Sequence, residues 1–178
     1  MTSEERQRTA TIAFVITALL MVLTGASYVI FSRSHDWALI SGYSMYPTFK
    51  DGDVVILDKT KGYNAGDIVV FDMPEEWSDL YLGNDRPNFI KRVTIPPGET
   101  FAWNGRQWIW KDKVVGSLKS GSCNAEPGLY SLAEDEVFVS GDSSVTKMLD
   151  SRAAFCQGVH YGLNVSNIRV TGTVSRIL

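Results

Sequence analysis

The sequence predicts a mainly β fold: a domain of coiled antiparallel sheets preceded by one N-terminal transmembrane helix. Three observations predict it. Residues 9–32 carry no charged side chain. Beyond residue 36 the apolar residues fall in short runs bounded by Gly, Pro and Asp, with no long amphipathic helical period. Asn104-Gly105, with Trp103 before it and Trp108 and Trp110 after it, is the preferred pair for a type I′ hairpin turn.

The run Ala10–Phe31 is long enough to cross about 30 Å of hydrocarbon as a helix. Arg6 and Arg8 precede it and Arg33 follows, a bias that favours a cytoplasmic N-terminus. Trp37 suits the far interface. The alternative is a cleaved signal peptide ending at Thr24-Gly25-Ala26. Such a peptide has an apolar core of about 7–15 residues, and this run is longer. The expected organisation is a short cytoplasmic N-terminus at 1–9, an anchor at 10–31, and an exported domain at 32–178. The chain is expected in the cytoplasmic membrane, crossing it once and in contact with lipid.

In the exported part, Val54-Val55-Ile56-Leu57 and Ile68-Val69-Val70-Phe71 read as buried strands. Glu136–Ser140 and Asn167–Val174 read as two more. Met73 to Pro87 reads as a loop. Its Trp77, Leu80, Tyr81 and Leu82 either face the bilayer or a partner, or fold back onto the core.

A net charge of -3 argues against a nucleic-acid partner, which selects a basic face. His35, His160, Cys123 and Cys156 lack the close spacing of a structural metal site, so no metal is expected. In an oxidising compartment Cys123 and Cys156 can form a disulfide; otherwise they are buried thiols.

Two residues have a context that points to chemistry. Ser44 lies in the Gly- and Pro-punctuated turn Ser41-Gly42-Tyr43-Ser44-Met45-Tyr46-Pro47-Thr48-Phe49. It follows Phe31 closely. At about 3.3–3.6 Å per extended residue it cannot stand far from the membrane. A serine needs a base, and neither histidine sits in a triad-like context. In Phe89-Ile90-Lys91-Arg92-Val93-Thr94-Ile95, strand alternation puts Phe89, Lys91, Val93 and Ile95 on one face. Lys91 is the single charge in an apolar row. Burial there would favour its neutral, base-competent form. The same pattern equally admits a lysine whose head snorkels to water.

Ser44-Met45-Tyr46-Pro47-Thr48 resembles the nucleophile box of type I signal peptidases, the Ser-Lys peptidases. Asp51-Gly52-Asp53-Val54-Val55, Ile90-Lys91-Arg92-Val93 with Pro97-Gly98-Glu99, and Gly141-Asp142 with Asp150-Ser151-Arg152 resemble the boxes that follow, in family order. The resemblance implies a catalytic β domain, Ser44 as nucleophile and Lys91 as general base. It implies no cofactor, preprotein substrates with signal peptides, and preference for Ala-like residues at the first and third positions before the bond. Gly42 stands where some members carry a serine oxyanion donor, so the Ser44 backbone N–H is the expected donor, with Ser41 as an outside candidate. The last box departs from the family. Ser143 and Met148 replace the usual Asn and Ser, leaving Ser143, Ser144 or Thr146 as hydroxyl partner of the lysine. Asp142, Asp150 and Arg152 are expected to fix loop geometry through charge-assisted pairs.

Narrower and rival readings stay open on sequence. One is a conjugation-type peptidase that matures a pilin precursor (prepilin). Another is an autoproteolytic Ser-Lys protein of the LexA type, which the membrane run and the lack of a helix-turn-helix segment oppose. The third is a catalytically silent membrane-tethered β domain.

Overall fold

The structure is a computed structural model and describes residues 2–58, 62–81, 88–118, 121–143, 149–172 and 174–176. Its first element, α1 (Ser3–Ser34), opens on a reciprocal cap: Thr2 Oγ1 accepts from Glu5 N–H, and the Glu5 carboxylate accepts from Thr2 N–H. These polar caps and Arg33 in the last turn carry the helix past both ends of the apolar run. The Thr11, Thr17 and Thr24 hydroxyls donate to carbonyls four residues back, at 2.8–2.9 Å, so they meet partners inside the helix. No residue of α1 is buried, and the helix is long and apolar enough to cross a membrane.

The rest is mainly β. Strand β1 (His35–Leu39) starts at the residue that caps α1, with no linker between them. It is followed by β2 (Val54–Asp58), β3 (Ile68–Asp72), β4 (Asn88–Ile95), β5 (Thr100–Trp103), β6 (Gln107–Trp110) and β7 (Lys113–Ser117). Then come β8 (Gly128–Ser131), β9 (Glu136–Ser140), α2 (Ser151–Gln157), β10 (Leu163–Asn164), β11 (Ile168–Gly172) and β12 (Val174–Arg176). They form three antiparallel sheets, ordered β1-β2-β12, β10-β9-β4-β3-β11 and β7-β6-β5-β8. The expected strand over Asn167–Val174 is thus two strands. The chain pairs with β3 through β11 and then with β2 through β12, changing sheets between them.

Three apolar clusters hold this arrangement. Ile40, Met45, Phe49, Val55, Leu57 and Ile68 lie under the turn that carries Ser44. Val69, Phe71, Trp77, Val93, Val139 and Leu163 pack on the five-stranded sheet. Ile95, Phe101, Trp103, Trp108, Phe138 and Phe155 form an aromatic cluster beneath the four-stranded one. Strand β4 joins the last two. A bulge lies between Val93, opposite Val139, and Ile95, opposite Phe138. Bulges bend and twist a strand. Val93 and Ile95, expected side by side on one face, therefore serve different cores.

One further expectation needs correction, and one open alternative is decided. The Asn104-Gly105 hairpin forms, but only Gly105 takes positive φ, at 89°. The Asn104 side chain accepts from Arg106 N–H and Gln107 N–H, which makes Gly105-Arg106 the tip. Among the described residues, the turn with positive φ at both central residues is Lys111-Asp112, where Lys111 is held by Glu99 and lies over the Trp110 ring. In the Met73–Pro87 segment, Trp77 is buried and donates from Nε1 to His160 O, at 2.8 Å, while Leu80 and Tyr81 pack against the same core. Folding back won because a buried indole needs both apolar contact and a hydrogen-bond acceptor, and this core supplies both. Leu82 lies outside the described residues.

Candidate active site

The turn from Ile40 to Lys50 is pinned from below and from its flank. Met45 and Phe49 are buried in the first cluster. Gly42, at φ +86°, donates its N–H to Asp51 Oδ1 at 2.7 Å. Few residues other than glycine tolerate that φ. The Tyr46–Pro47 peptide is cis. Ser44 is left half-buried at the edge of a groove of about 750 Å³, walled by the β1 segment Asp36–Leu39 on one side and by Phe89–Lys91 and Tyr81 on the other.

Lys91 reaches the same point from the middle strand of the five-stranded sheet, where it pairs across from Val69. It is 3% exposed. Its Nζ donates to Ser44 Oγ at 2.8 Å and to Ile90 O at 3.2 Å, and lies 5.5 Å from the Phe89 ring centre. Burial pushes the Lys91 ammonium down to about 8, against a partly offsetting pull from Asp150 and Asp142 and a further push down from Arg152. Each nearby carboxylate is paired with its own arginine, so desolvation prevails.

The third wall is the loop after β9. Ser143 N–H donates to Ser44 O at 3.0 Å. Gly141 approaches so closely that an added Cβ would lie 2.6 Å from Ser44 O and 3.7 Å from Lys91 Cδ. Asp150 and Arg152 hold this loop from behind. The Asp150 carboxylate, 1% exposed, accepts from Gly141 N–H at 2.9 Å and caps α2 by accepting from Arg152 N–H at 3.0 Å. The Arg152 guanidinium donates to Asp150 and to Gly141 O. Asp142 turns the other way. It receives the Arg92 guanidinium on both oxygens, at 2.9 and 2.6 Å, and the Thr48 hydroxyl. Burial raises the Asp142 carboxyl, but the bonds from Arg92 and Thr48 outweigh it and hold it below the ordinary carboxylate value.

The structure thus brings Ser44, Lys91, Gly42, Ser143, Asp150 and Arg152 to one groove, with Ser41 exposed on its rim and Asp142 bracing it from outside. Of the hydroxyl candidates for the lysine, Ser143 lies against the Ser44 carbonyl through its N–H. Ser144, Thr146 and Met148 lie outside the described residues. Among the described residues no acceptor takes the Ser44 N–H. Cys123 and Cys156 are joined by a disulfide at the far end of α2. Sequence reasoning missed Arg92, Thr48 and the close approach of Gly141. Arg92 had one available signal, its place beside Lys91 on the opposite face of β4.

Asp150→Ala leaves the Arg152 guanidinium, 13% exposed, without a carboxylate partner. Breaking a buried pair costs about 3–5 kcal/mol. The urea midpoint is expected to fall accordingly, and an unchanged midpoint would show that the pair braces nothing.

Comparison with known proteins supplies the family. Residues 8–177 match the family described as signal peptidase, peptidase S26. Signal peptidase I T of Bacillus subtilis (strain 168) is 30% identical over 129 residues, 64% of this chain and 62% of that protein. Signal peptidase I U of the same organism is 31% identical over 128 residues, 64% of this chain and 63% of that protein. The chain therefore spans somewhat less than two thirds of the length of these curated relatives. With the family matched along almost the whole sequence, the chain belongs to the signal peptidases of the peptidase S26 family.

Proposed function

We propose that this protein is a membrane-bound serine endopeptidase that removes signal peptides from exported preproteins with a Ser44–Lys91 dyad. The observation that carries the reading is the 2.8 Å hydrogen bond from a buried lysine to a serine hydroxyl at the edge of an open groove. Residues 10–31 of α1 anchor the chain in the cytoplasmic membrane, residues 1–9 stay in the cytoplasm, and 32–178 form the exported catalytic domain. The direct passage from α1 into β1, one wall of the groove, supports this placement. A preprotein held in the bilayer by its apolar segment would present its cleavage site where the groove begins.

Neutral Lys91 takes the proton of Ser44 Oγ as the oxygen attacks the scissile carbonyl. The Ser44 N–H stabilises the developing oxyanion. The lysine then returns the proton to the leaving amine, leaving an acyl-enzyme. Lys91 next draws a proton from water, which releases the acyl chain and restores the serine.

The test is cleavage by the full chain in lipid of a preprotein with an Ala-x-Ala site, with the cut located by mass spectrometry. Below pH 8 Lys91 holds its proton and cannot act as base; above it the free amine predominates. The value of kcat/KM is therefore expected to climb along one limb with an apparent pKa of about 8. A limb near 6.5, the ordinary histidine range, would instead point to an imidazole base. Failure on secretory preproteins together with cleavage of a pilin precursor would narrow the substrate, and inertness to both would leave the non-enzymatic reading.

A further inference from the structure

The geometry points to the Cys123–Cys156 disulfide as a redox-dependent positioning device for the candidate site. With the bond closed, α2 presents Asp150 and Arg152 to Gly141; with it reduced, that brace loosens and turnover falls. The effect on turnover rests on the Ser44–Lys91 reading above, whereas the brace itself does not.

Helix α2 has 7 residues. Isolated helices shorter than about 12–15 residues are marginal in water, so outside contacts must hold this one. At its start, Asp150 and Arg152 grip Gly141, and Ser151 Oγ accepts from Val139 N–H at 2.9 Å. Its middle is buried through Ala154 and Phe155. Its end is held by the bond from Cys156 to Cys123 and by Asn124 N–H donating to Cys156 O at 2.9 Å. Both of the latter come from the segment between β7 and β8. That segment has no strand or helix among its described residues. It is tied to the four-stranded sheet by Trp103 Nε1 donating to Ala125 O and Tyr130 OH donating to Glu126 O. The disulfide is therefore the covalent link between this sheet and the helix whose other end faces Ser44 and Lys91. A short helix transmits displacement from one end to the other, because its hydrogen bonds make it one rigid element.

The redox step balances simply. One thiolate of a dithiol reductant attacks a cysteine sulfur and forms a mixed disulfide, and the other cysteine leaves as a thiolate. The second thiol of the reductant closes its own disulfide, and two cysteines result with two electrons and two protons gained. The reverse reaction, with a disulfide oxidant, belongs to an oxidising exported compartment. A newly made chain with reduced cysteines would then have a slack site until its domain is exported.

The experiment compares the full chain in lipid in three forms: oxidised, reduced with dithiothreitol, and Cys123→Ser, which removes the link but leaves Cys156 packed. Free thiols are counted by alkylation and mass. Misplacing a reacting group by about 1 Å costs up to about 100-fold, so kcat on the Ala-x-Ala preprotein is expected to drop about 10-fold or more in both unlinked forms while KM hardly moves. Amide exchange at 141–143 and 151–157 is expected to quicken, with the far-ultraviolet circular dichroism unchanged. Full kcat in a chain with both thiols free, or unchanged exchange, overturns the proposal. Loss of the folded dichroism spectrum also overturns it, since the bond would then be a staple of the whole fold. An oxidised chain inert on the preprotein defeats the reading of the site instead, and the exchange comparison still decides the brace.

Discussion

Lys91→Met and Ser44→Ala are each expected to lower preprotein cleavage by a factor of about 10⁴ or more, with the two together no worse than either alone. Residues that act as one unit show this non-additivity. The serine supplies the attacking oxygen and the lysine supplies the only base within hydrogen-bond reach of it among the described residues. Methionine fills the space of the lysine stem without a titrating group. It should also stabilise the fold. The lysine amine has a value of about 8 in the folded chain against an ordinary 10.5. Between those two values the unfolded chain holds more protons, so stability rises with pH across that window. Below pH 8 the full cost of burying the charge is present. At pH 7, Lys91→Met is expected to gain at most roughly 3 kcal/mol, read from the urea midpoint. An inactive but stabilised variant is the signature of a residue retained for chemistry. Near-normal cleavage by Lys91→Met would remove the base assignment, and a destabilised variant would show that the amine holds the structure.

Gly141→Ala is expected to cut kcat about 100-fold while costing only about 1–3 kcal/mol of stability. The added methyl would lie 2.6 Å from Ser44 O, a backbone atom with no flexible end to swing aside. The same oxygen accepts from Ser143 N–H, so relief must come from moving either the Ser44 turn or the 141–143 loop. The loop is held by Asp150 and Arg152, and the turn is seated on Met45 and Phe49. The serine hydroxyl and the lysine amine, at 2.8 Å, should therefore lose their alignment. Steady-state kinetics beside a urea titration would check this. Activity close to wild type would mean that the site tolerates a shift of its nucleophile.

Elements with local signals are legible before any fold is known. The uncharged run at 10–31, the short apolar runs of β2 and β3, and the lysine set in an apolar alternation need only neighbouring residues to be read. A mainly β chain with one long N-terminal apolar helix follows from those signals, and the structure has it. Ser44 and Lys91 were legible as separate residues, one in a punctuated turn and one in a strand. Only the resemblance to the family joined them before the fold was known.

Contacts between distant segments come from the packing of the folded chain. The bulge in β4 sends Val93 and Ile95 into different cores, and no residue type announces it. Asn104 spends its side chain on Arg106 and Gln107 N–H, which moves the tip of its hairpin. Trp77 folds inward because His160 O waits for its indole. Arg92 meets Asp142, and Gly141 meets Ser44, because antiparallel pairing sets β4 beside β9 and brings the loop after β9 over the Ser44 turn. Periodicity reports which face a side chain takes. Which partner waits on that face depends on sheet register, bulges and loop closure, and these are settled by the packing of the whole chain.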